Sequence, residues 1–485
     1  MKTFRLVLGL LFLVPVLLSA VPVRAQSCQD FAERQIRLSQ KQVERGNFSS
    51  ALRVLDVAVQ NDCDIAIVRG QMARILDAWL ESARDSGSDR QMRTVIQQVS
   101  SRSTLDEDAR AELQGRIRST IESRIVSAYE GSNYRRTYQL CRSYDEYSAR
   151  TFTLNYACGR SALDVGAVGA ATTRYEQLLD NWTSDQSLVS REDLNAELKQ
   201  LYLSTGQFNR AYALSKQLAQ QNPSASTLIA ALTAARGQWL APIVHVAQTF
   251  YDGDPSSTAR EHAQSEMGSI KFPSYVQSSY LMAEDGTATT FFGPDAASLP
   301  EASVLEQASE NISLLTSASD TTRSWLVGRT RPGWFVVQFG QQTTSEENVI
   351  LEGLLQNVQA EDRWASLYEQ VFTSTYPATG SAVATFMGGT YLADAPIETY
   401  ESVFDSATGL NYFCVQDQSG GIVASYSFDR SELQYEDRVW NRTSQTPALY
   451  HHPVQRGDQS LREVVWPTYQ GDTWSGVVRV GMSTP

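Results

Sequence analysis

The chain has 485 residues, of which 54 are acidic and 41 basic, for a formal net charge of −13. That balance argues against nucleic acid or an anionic membrane as the main partner, because both are held by basic surface. A hydrophobic share of 42% with 20% charged residues fits a folded, water-exposed protein, and the length implies two to four domains.

The first 25 residues read as a cleavable secretory signal. Lys2 and Arg5 form a short basic region, Leu6 to Leu18 is apolar except for Gly9 and Pro15, and Val23-Arg24-Ala25 precedes Gln26 with small or apolar residues at −3 and −1. The apolar run of about 13 residues is shorter than the roughly 20 that cross a bilayer. Ala25-Gln26-Ser27 is a poor lipobox before Cys28, so no lipid anchor is expected there. The reading is an exported protein of bacterial cell-envelope type, periplasmic or secreted. Without Lys2, Arg5 and Arg24 the mature chain carries 38 bases against 54 acids, a net −16. No integral membrane segment is expected after cleavage, since Leu228 to Ala247 is interrupted by Arg236, Gln238 and Pro242.

Export makes disulfides possible for the five cysteines. Cys28 opens a predicted helix ending near Arg45 and Cys63 closes the next, equidistant from a turn at Gly46. In an antiparallel helix pair the two lie side by side. Cys141 and Cys158 likewise straddle a break near Tyr147 to Ala149. Bridges Cys28–Cys63 and Cys141–Cys158 are expected, each needing Cα atoms within about 7 Å; small apolar cysteines on buried helix faces are the alternative. Cys414 remains as a buried strand thiol.

From Cys28 to about Gly237 the apolar positions follow a 3.6-residue period, as at 51, 54, 55, 58 and 59. Glycines at 46, 87, 131, 166 or 169, 206 and 237 punctuate the helices at the spacing of two-helix repeats. Gly46-Asn47-Phe48 leads to Ala51, and Gly206-Gln207-Phe208 leads to Ala211 and Pro223. Ser132-Asn133-Tyr134 is a third copy without the Ala. These segments resemble the tetratricopeptide repeat, in which Gly permits the tight turn while the aromatic and Ala interlock neighbouring helices. The resemblance implies docking of a protein or peptide in a concave groove.

Beyond Gly237 short aromatic and β-branched segments alternate with turns, the texture of strands. Tyr280–Asp285 aligns without gaps on Tyr412–Asp417, each followed by a glycine turn and a second strand. Phe335–Gly340 likewise aligns on Gly476–Gly481, suggesting an internal duplication. The pattern resembles the extracytoplasmic PAS/Cache sensor fold: leading helix, strand, Asp-x-x-Gly hairpin, variable ligand-facing middle and two closing strands. Val415–Val423, Glu463–Pro467 and Trp474–Gly481 carry the resemblance. An Arg-aromatic pocket signature is missing, as is any kinase, cyclase or methyl-accepting segment.

The expected fold class is therefore multidomain α+β: a signal peptide at 1–25, an all-α tetratricopeptide-like solenoid over 26–238, and PAS/Cache-like antiparallel-sheet domains over 239–342 and 343–485. Catalytic motifs are missing. His245 and His262 sit on predicted helices without a partner at i+4, and neighbouring His451 and His452 cannot chelate together on a regular strand. Asp252-Gly253-Asp254 reads as a turn. No metal or cofactor is implied. In the second sheet domain Trp440, Arg442, Tyr450 and His452 combine aromatic surface with hydrogen-bonding groups, as ligand pockets do. The reading is a non-enzymatic adaptor, its repeats docking a protein and its sheet domains binding a small ligand or protein. The alternative is a structural accessory of a secretion or pilus machine with no small ligand.

Overall fold

The computed structural model describes residues 28–293 apart from 64, 149–150 and 184–187, then 305, 312–316, 323–392, 403–404, 409–429, 431, 433–434, 450–470 and 473–485. The expected signal segment lies outside the described residues. Contacts divide the chain into Met1–Arg174 and Tyr175–Pro485.

The first unit is helical. After α1 over 28–44 come α2 (Phe48–Gln60), α3 (Ile65–Ser86), α4 (Asp89–Ser101), α5 (Glu107–Glu130), α6 (Tyr134–Ser143), the single turn α7 (Asp145–Ser148) and α8 (Phe152–Asp164). The border falls inside α9 (Val168–Asp180). Helices pack mainly on chain neighbours, α2 on α3, α3 on α4, α5 on α6 and α6 on α8, as stacked helix pairs do.

One turn chemistry recurs through the helical region. Gly46, Ser132, Gly166 and Gly206 take positive φ of 74°, 54°, 76° and 74°. The next N–H then donates back five residues: Asn47 to the Gln42 carbonyl at 2.8 Å, Asn133 to Ala128 at 2.9 Å, Ala167 to Ala162 at 2.8 Å and Gln207 to Tyr202 at 2.9 Å. This left-handed cap satisfies orphan helix carbonyls and reverses the chain. Five residues after the positive-φ position a small side chain, Ala51, Thr137, Ala171 or Ala211, is wholly buried. The third copy thus places Ser132, not Gly131, at the turn and Thr137 where the others have Ala. Gly169 is helical, and Gly166 makes the turn.

Both expected disulfides form. Cys28 joins Cys63 with Cα atoms 5.1 Å apart, and Cys141 on α6 joins Cys158 on α8 at 5.9 Å. Cys414 is buried and belongs to neither disulfide.

The second unit begins with α10 (Arg191–Ser204), α11 (Phe208–Gln221), α12 (Ala225–Asp252) and α13 (Ser257–Met267). Helix α12 runs through both the expected end of the helical region and the 238/239 boundary. Gly237 is not a turn: it lies inside α12, with the Phe208 and Leu314 side chains beside it. The helix is buried on all sides between Ala231 and Val244, because α11, a long helix described below and sheet strands pack around it. Its C-terminus is the Asp252-Gly253-Asp254 turn, with Asp254 at φ 56°.

Strands β1 (Val276–Ala283), β2 (Ala288–Phe292), β3 (Ser313–Thr316), β4 (Arg323–Thr330) and β5 (Gly333–Gly340) form an antiparallel sheet in the order β2-β1-β5-β4-β3. Helices α14 (Ser345–Gln356) and α15 (Glu361–Leu392) follow. Then β6 (Leu410–Asp417), β7 (Ile422–Tyr426), β8 (Leu433–Gln434), β9 (Tyr450–Arg456), β10 (Gln459–Gln470) and β11 (Thr473–Ser483) form the second sheet, β7-β6-β11-β10-β9-β8, also antiparallel. In both sheets the first strand sits between its hairpin partner and the last strand.

The two sheets repeat one plan, in a register two residues away from the gap-free sequence alignment. Ala283 pairs with Gly333, and Asp417 with Gly476. Gly333 and Gly476 have φ of 152° and 153°, and a Cβ on either would overlap the carbonyl oxygen of Met282 or Gln416 respectively. The hairpins agree: Ala283 N–H donates to Thr287 O at 2.8 Å, and Asp417 N–H to Gly421 O at 2.9 Å. Asp285 and Asp417 thus occupy different turn positions.

Helix α12 packs on β4 and β5, α15 packs on β10 and β11, and the two helices pack on each other. Trp239 meets Phe372 with ring centroids 4.6 Å apart, Phe250 meets Phe386 at 5.2 Å, and Phe386 meets Phe335 at 5.7 Å.

The paired glycines give the first testable consequence. Gly333→Ala and Gly476→Ala should each lower stability by roughly 1–3 kcal/mol or more, read as a fall in urea midpoint of the mature protein; unchanged midpoints would refute the shared turn. The helical unit gives another. Asp89 opens α4 between Arg124 and Arg136, at 2.8 and 2.6 Å. Burial alone would raise its pKa, but the two arginines hold the carboxyl below its usual value. A lowered folded pKa contributes stability above the unfolded pKa of about 3.9, lost as pH falls through the folded value. Asp89→Asn should therefore destabilise at neutral pH and flatten the stability loss below about pH 4, measured by urea titration across pH.

Candidate functional site

Of the four residues expected to line a ligand pocket, Trp440 and Arg442 lie outside the described residues. Tyr450 and His452 fall on β9, where their backbones pair with Val465 and Glu463 of β10. His451, His452 and Pro453 are consecutive on this strand, and His245 and His262 lie on α12 and α13. Among the described residues no group of three metal-ligating side chains gathers.

The strand partner of His452 leads to a polar cluster that sequence reading missed. Tyr412, Gly481 and Glu463 form one cross-strand row over β6, β11 and β10. A Cβ on Gly481 would overlap the Tyr412 ring, so the glycine lets the phenol lie across the central strand. Its OH then donates to Glu463 Oε1 at 2.7 Å. Arg479 closes on the same carboxylate, Nε to Oε1 at 2.8 Å and Nη2 to Oε2 at 2.7 Å. Gln416 Oε1 lies 3.5 Å from Arg479 Nη1, and the guanidinium carbon stands 5.6 Å from the Phe428 ring centre. Glu463 and Tyr412 are fully buried and Arg479 nearly so. A buried pair of this kind must be bidentate and hydrogen-bonded to offset desolvation, and each carboxylate oxygen here accepts a guanidinium donor.

The first sheet fills the equivalent positions differently. Anchored on Gly333 and Gly476, Trp325 corresponds to Glu463, Val336 to Arg479, Ser278 to Tyr412 and Gln338 to Gly481. Tyr280, Met282, Leu315, Trp325, Val327 and Val336 form an apolar cluster there. The signal for the polar row was a charge within each apolar run, Arg479 amid Val477–Val480 and Glu463 before Val464-Val465-Trp466.

Among the described residues, clefts open beside helices of the second unit. One, of about 370 Å³, lies among α9, α10 and α11 and includes Glu176, Leu179, Arg191, Asn195, Tyr202 and Leu214 in its wall. Glu176 Oε1 accepts the Tyr202 OH and Arg210 Nη1, both at 2.7 Å. Burial and then the Glu176 carboxylate push the Tyr202 phenol pKa upward, so it remains a donor. Another, of about 500 Å³, lies between α12 and the β4–β5 turn. Its polar groups partly satisfy one another: Gln248 Nε2 donates to Arg329 O at 2.9 Å and Arg331 N–H to Asp252 at 2.7 Å.

No protein-family model matches the chain, and no curated protein matches it. Among solved structures, a thermophilic TPR protein of Thermus thermophilus is similar at 15% identity, over 42% of this chain and 98% of that one, with a TM-score of 0.16. The helix pairs are defined by their turns and packing.

The polar row makes a direct prediction. Gly481→Ala should cost about 1–3 kcal/mol by displacing Tyr412, and Glu463→Gln about 3–5 kcal/mol by leaving Arg479 without its counter-charge. Chemical denaturation of the mature protein measures both, and equal stability of either variant would show the row to be slack.

Proposed function

We propose that the mature protein is an exported, non-enzymatic adaptor. Its helical repeats dock a protein partner, and its two sheet modules, built as PAS/Cache-like sensors, bind a small ligand or another protein. The observation that carries this reading is the recurring left-handed turn with a buried small residue five positions on, the signature of stacked helix pairs that present side chains to other proteins. The sensor-like assignment is supported by the shared plan of both sheets: leading helices, a strand, a glycine hairpin, a separated middle and two closing strands, with first and last strands adjacent. Export is supported by the N-terminal pattern and the two disulfides. Pairing of Cys28 with Cys63 also leaves its sulfur unavailable for a lipid. Among the described residues no helix is long and apolar enough to cross a membrane.

The second reading, a structural accessory of a secretion or pilus machine without a small ligand, is favoured by one observation. The first sheet's face is packed with apolar side chains and the second's Arg479 is closed on Glu463, as in interaction modules that keep filled cores. Two measurements on the whole mature protein separate these readings. A photo-reactive residue at Gln217, on the cleft wall, should cross-link one defined protein in the cells that make the chain, and an adduct from Gln459 would mark the second sheet as a further protein-binding surface. A metabolite that raises Tm in a dose-dependent way supports the sensor. A cross-linked partner with no such metabolite supports the accessory. No adduct from Gln217 would sink docking through this part of the repeat.

A further inference from the structure

The 370 Å³ cleft contains a polar side chain that the fold itself does not satisfy. Asn195 on α10 is 6% exposed and lines the cleft, yet its carboxamide makes no hydrogen bond among the described residues. A buried amide normally finds partners. The preceding helix pair shows what such a partner looks like. Asn155 on α8 precedes the turn residue Gly166 by the same eleven positions that separate Asn195 from Gly206. It is equally buried, and its Oδ1 accepts Arg174 Nη1 at 2.9 Å. Arg174 lies eight positions after Gly166; eight after Gly206 stands Leu214, which lines the cleft and has nothing to donate. One repeat therefore closes this position with its own arginine, and the next leaves it open. One turn before Asn195 on α10, Arg191 also lines the cleft and makes no ion pair among the described residues. Leu198 and Leu179 supply apolar wall, while Glu176, Tyr202 and Arg210 are already bonded to one another.

We propose that this cleft binds an extended polypeptide segment whose backbone amide pairs with the Asn195 carboxamide, with Arg191 beside it to take a carboxylate. An Asn side chain offers one acceptor and two donors, the complement of a peptide unit's N–H and C=O. The cleft is open to the surface and of a size for a short stretch of chain, so a longer segment can pass through. The inference rests on the reading of the helical repeats as docking elements and names one place and one chemistry for it.

The test pans a phage-displayed random heptapeptide library against the whole mature protein and synthesises the enriched sequences. Binding should fall at least tenfold in Asn195→Leu. It should fall equally in Leu214→Arg, which restores the arginine that Asn155 has and should leave Tm intact. N-methylation of one interior peptide amide should abolish binding, since the backbone is what is read. Peptides that bind Leu214→Arg as well as the unmodified protein, or that tolerate N-methylation at every interior amide, would overturn the proposal. So would a library that enriches nothing. Each of these outcomes leaves the Gln217 cross-link, and with it partner docking as such, to stand or fall separately.

Discussion

One buried guanidinium fixes how the second unit is put together. Arg236 on α12 is fully buried, and a charge there is tolerated only when it is paired with a counter-charge and hydrogen-bonded. Nη1 donates to Gly340 O at 3.1 Å, and Nη2 to Gln342 O at 2.9 Å and Glu347 Oε2 at 2.6 Å. Gly340 ends β5, and Glu347 lies in the first turn of α14, where the same Oε2 accepts the Thr344 N–H at 2.7 Å in a capping box. The Tyr275 ring lies 3.9 Å from the guanidinium carbon, and its OH is bonded to Thr375 on α15. The end of the first sheet, the start of α14 and a point on α15 are thus all measured from one side chain on α12. Sliding any of them along the helix would strand a charge in the core, which costs more than the apolar contacts could return. Burial keeps the Tyr275 phenol protonated, with its pKa pushed up to about 12.

That arrangement explains both what the sequence revealed about the sheets and what it concealed. The strands, the hairpins at Gly286 and Gly420, and the closing pair were visible because β-branched runs and glycine turns are local signals. Register was not. Side chains on a strand repeat every two residues, so sliding an alignment by two leaves every apolar position on its proper face. The blocks starting at Tyr280 and Tyr412 match in sequence, yet Ser278 and Tyr412 are the residues that occupy one place in the two sheets. Only a position that tolerates a single residue type fixes the register, and Gly333 with Gly476 is that position. Similarly, Gly237 punctuates nothing; it lies inside α12, and a helix that runs on through a glycine has no local signal to mark it.

The candidate sites were less legible, for the same reason. The sequence singles out Tyr450 and His452 as pocket residues, and the structure places only their backbones, opposite Val465 and Glu463. The cluster itself joins Tyr412, Glu463 and Arg479, residues 51 and 16 positions apart, and it depends on a glycine whose role is to be absent from beneath a ring. Asn195 is subtler still. Its meaning comes from Leu214, a residue unremarkable until the preceding repeat shows Arg174 in its place.

The two units answer the problem of holding helices together by different chemistry. The first has helices that pack mainly on chain neighbours, and it is cross-linked twice, across separations of 35 and 17 residues. Closing loops of that size removes unfolded-state entropy worth about 3–4 kcal/mol each, a contribution available only where thiols oxidise. The second unit has no disulfide among its described residues and instead buries two ion pairs, Arg236–Glu347 and Arg479–Glu463. Such pairs add little net stability but penalise every alternative arrangement. A stack of similar helix pairs needs fastening more than it needs addressing, since any neighbour packs much like another. Two sheets of the same plan need the reverse: a duplicated module could dock on the wrong copy of itself. Charges placed at Arg236 and Glu463, where the first sheet's own counterpart of Glu463 is Trp325, make the copies non-interchangeable.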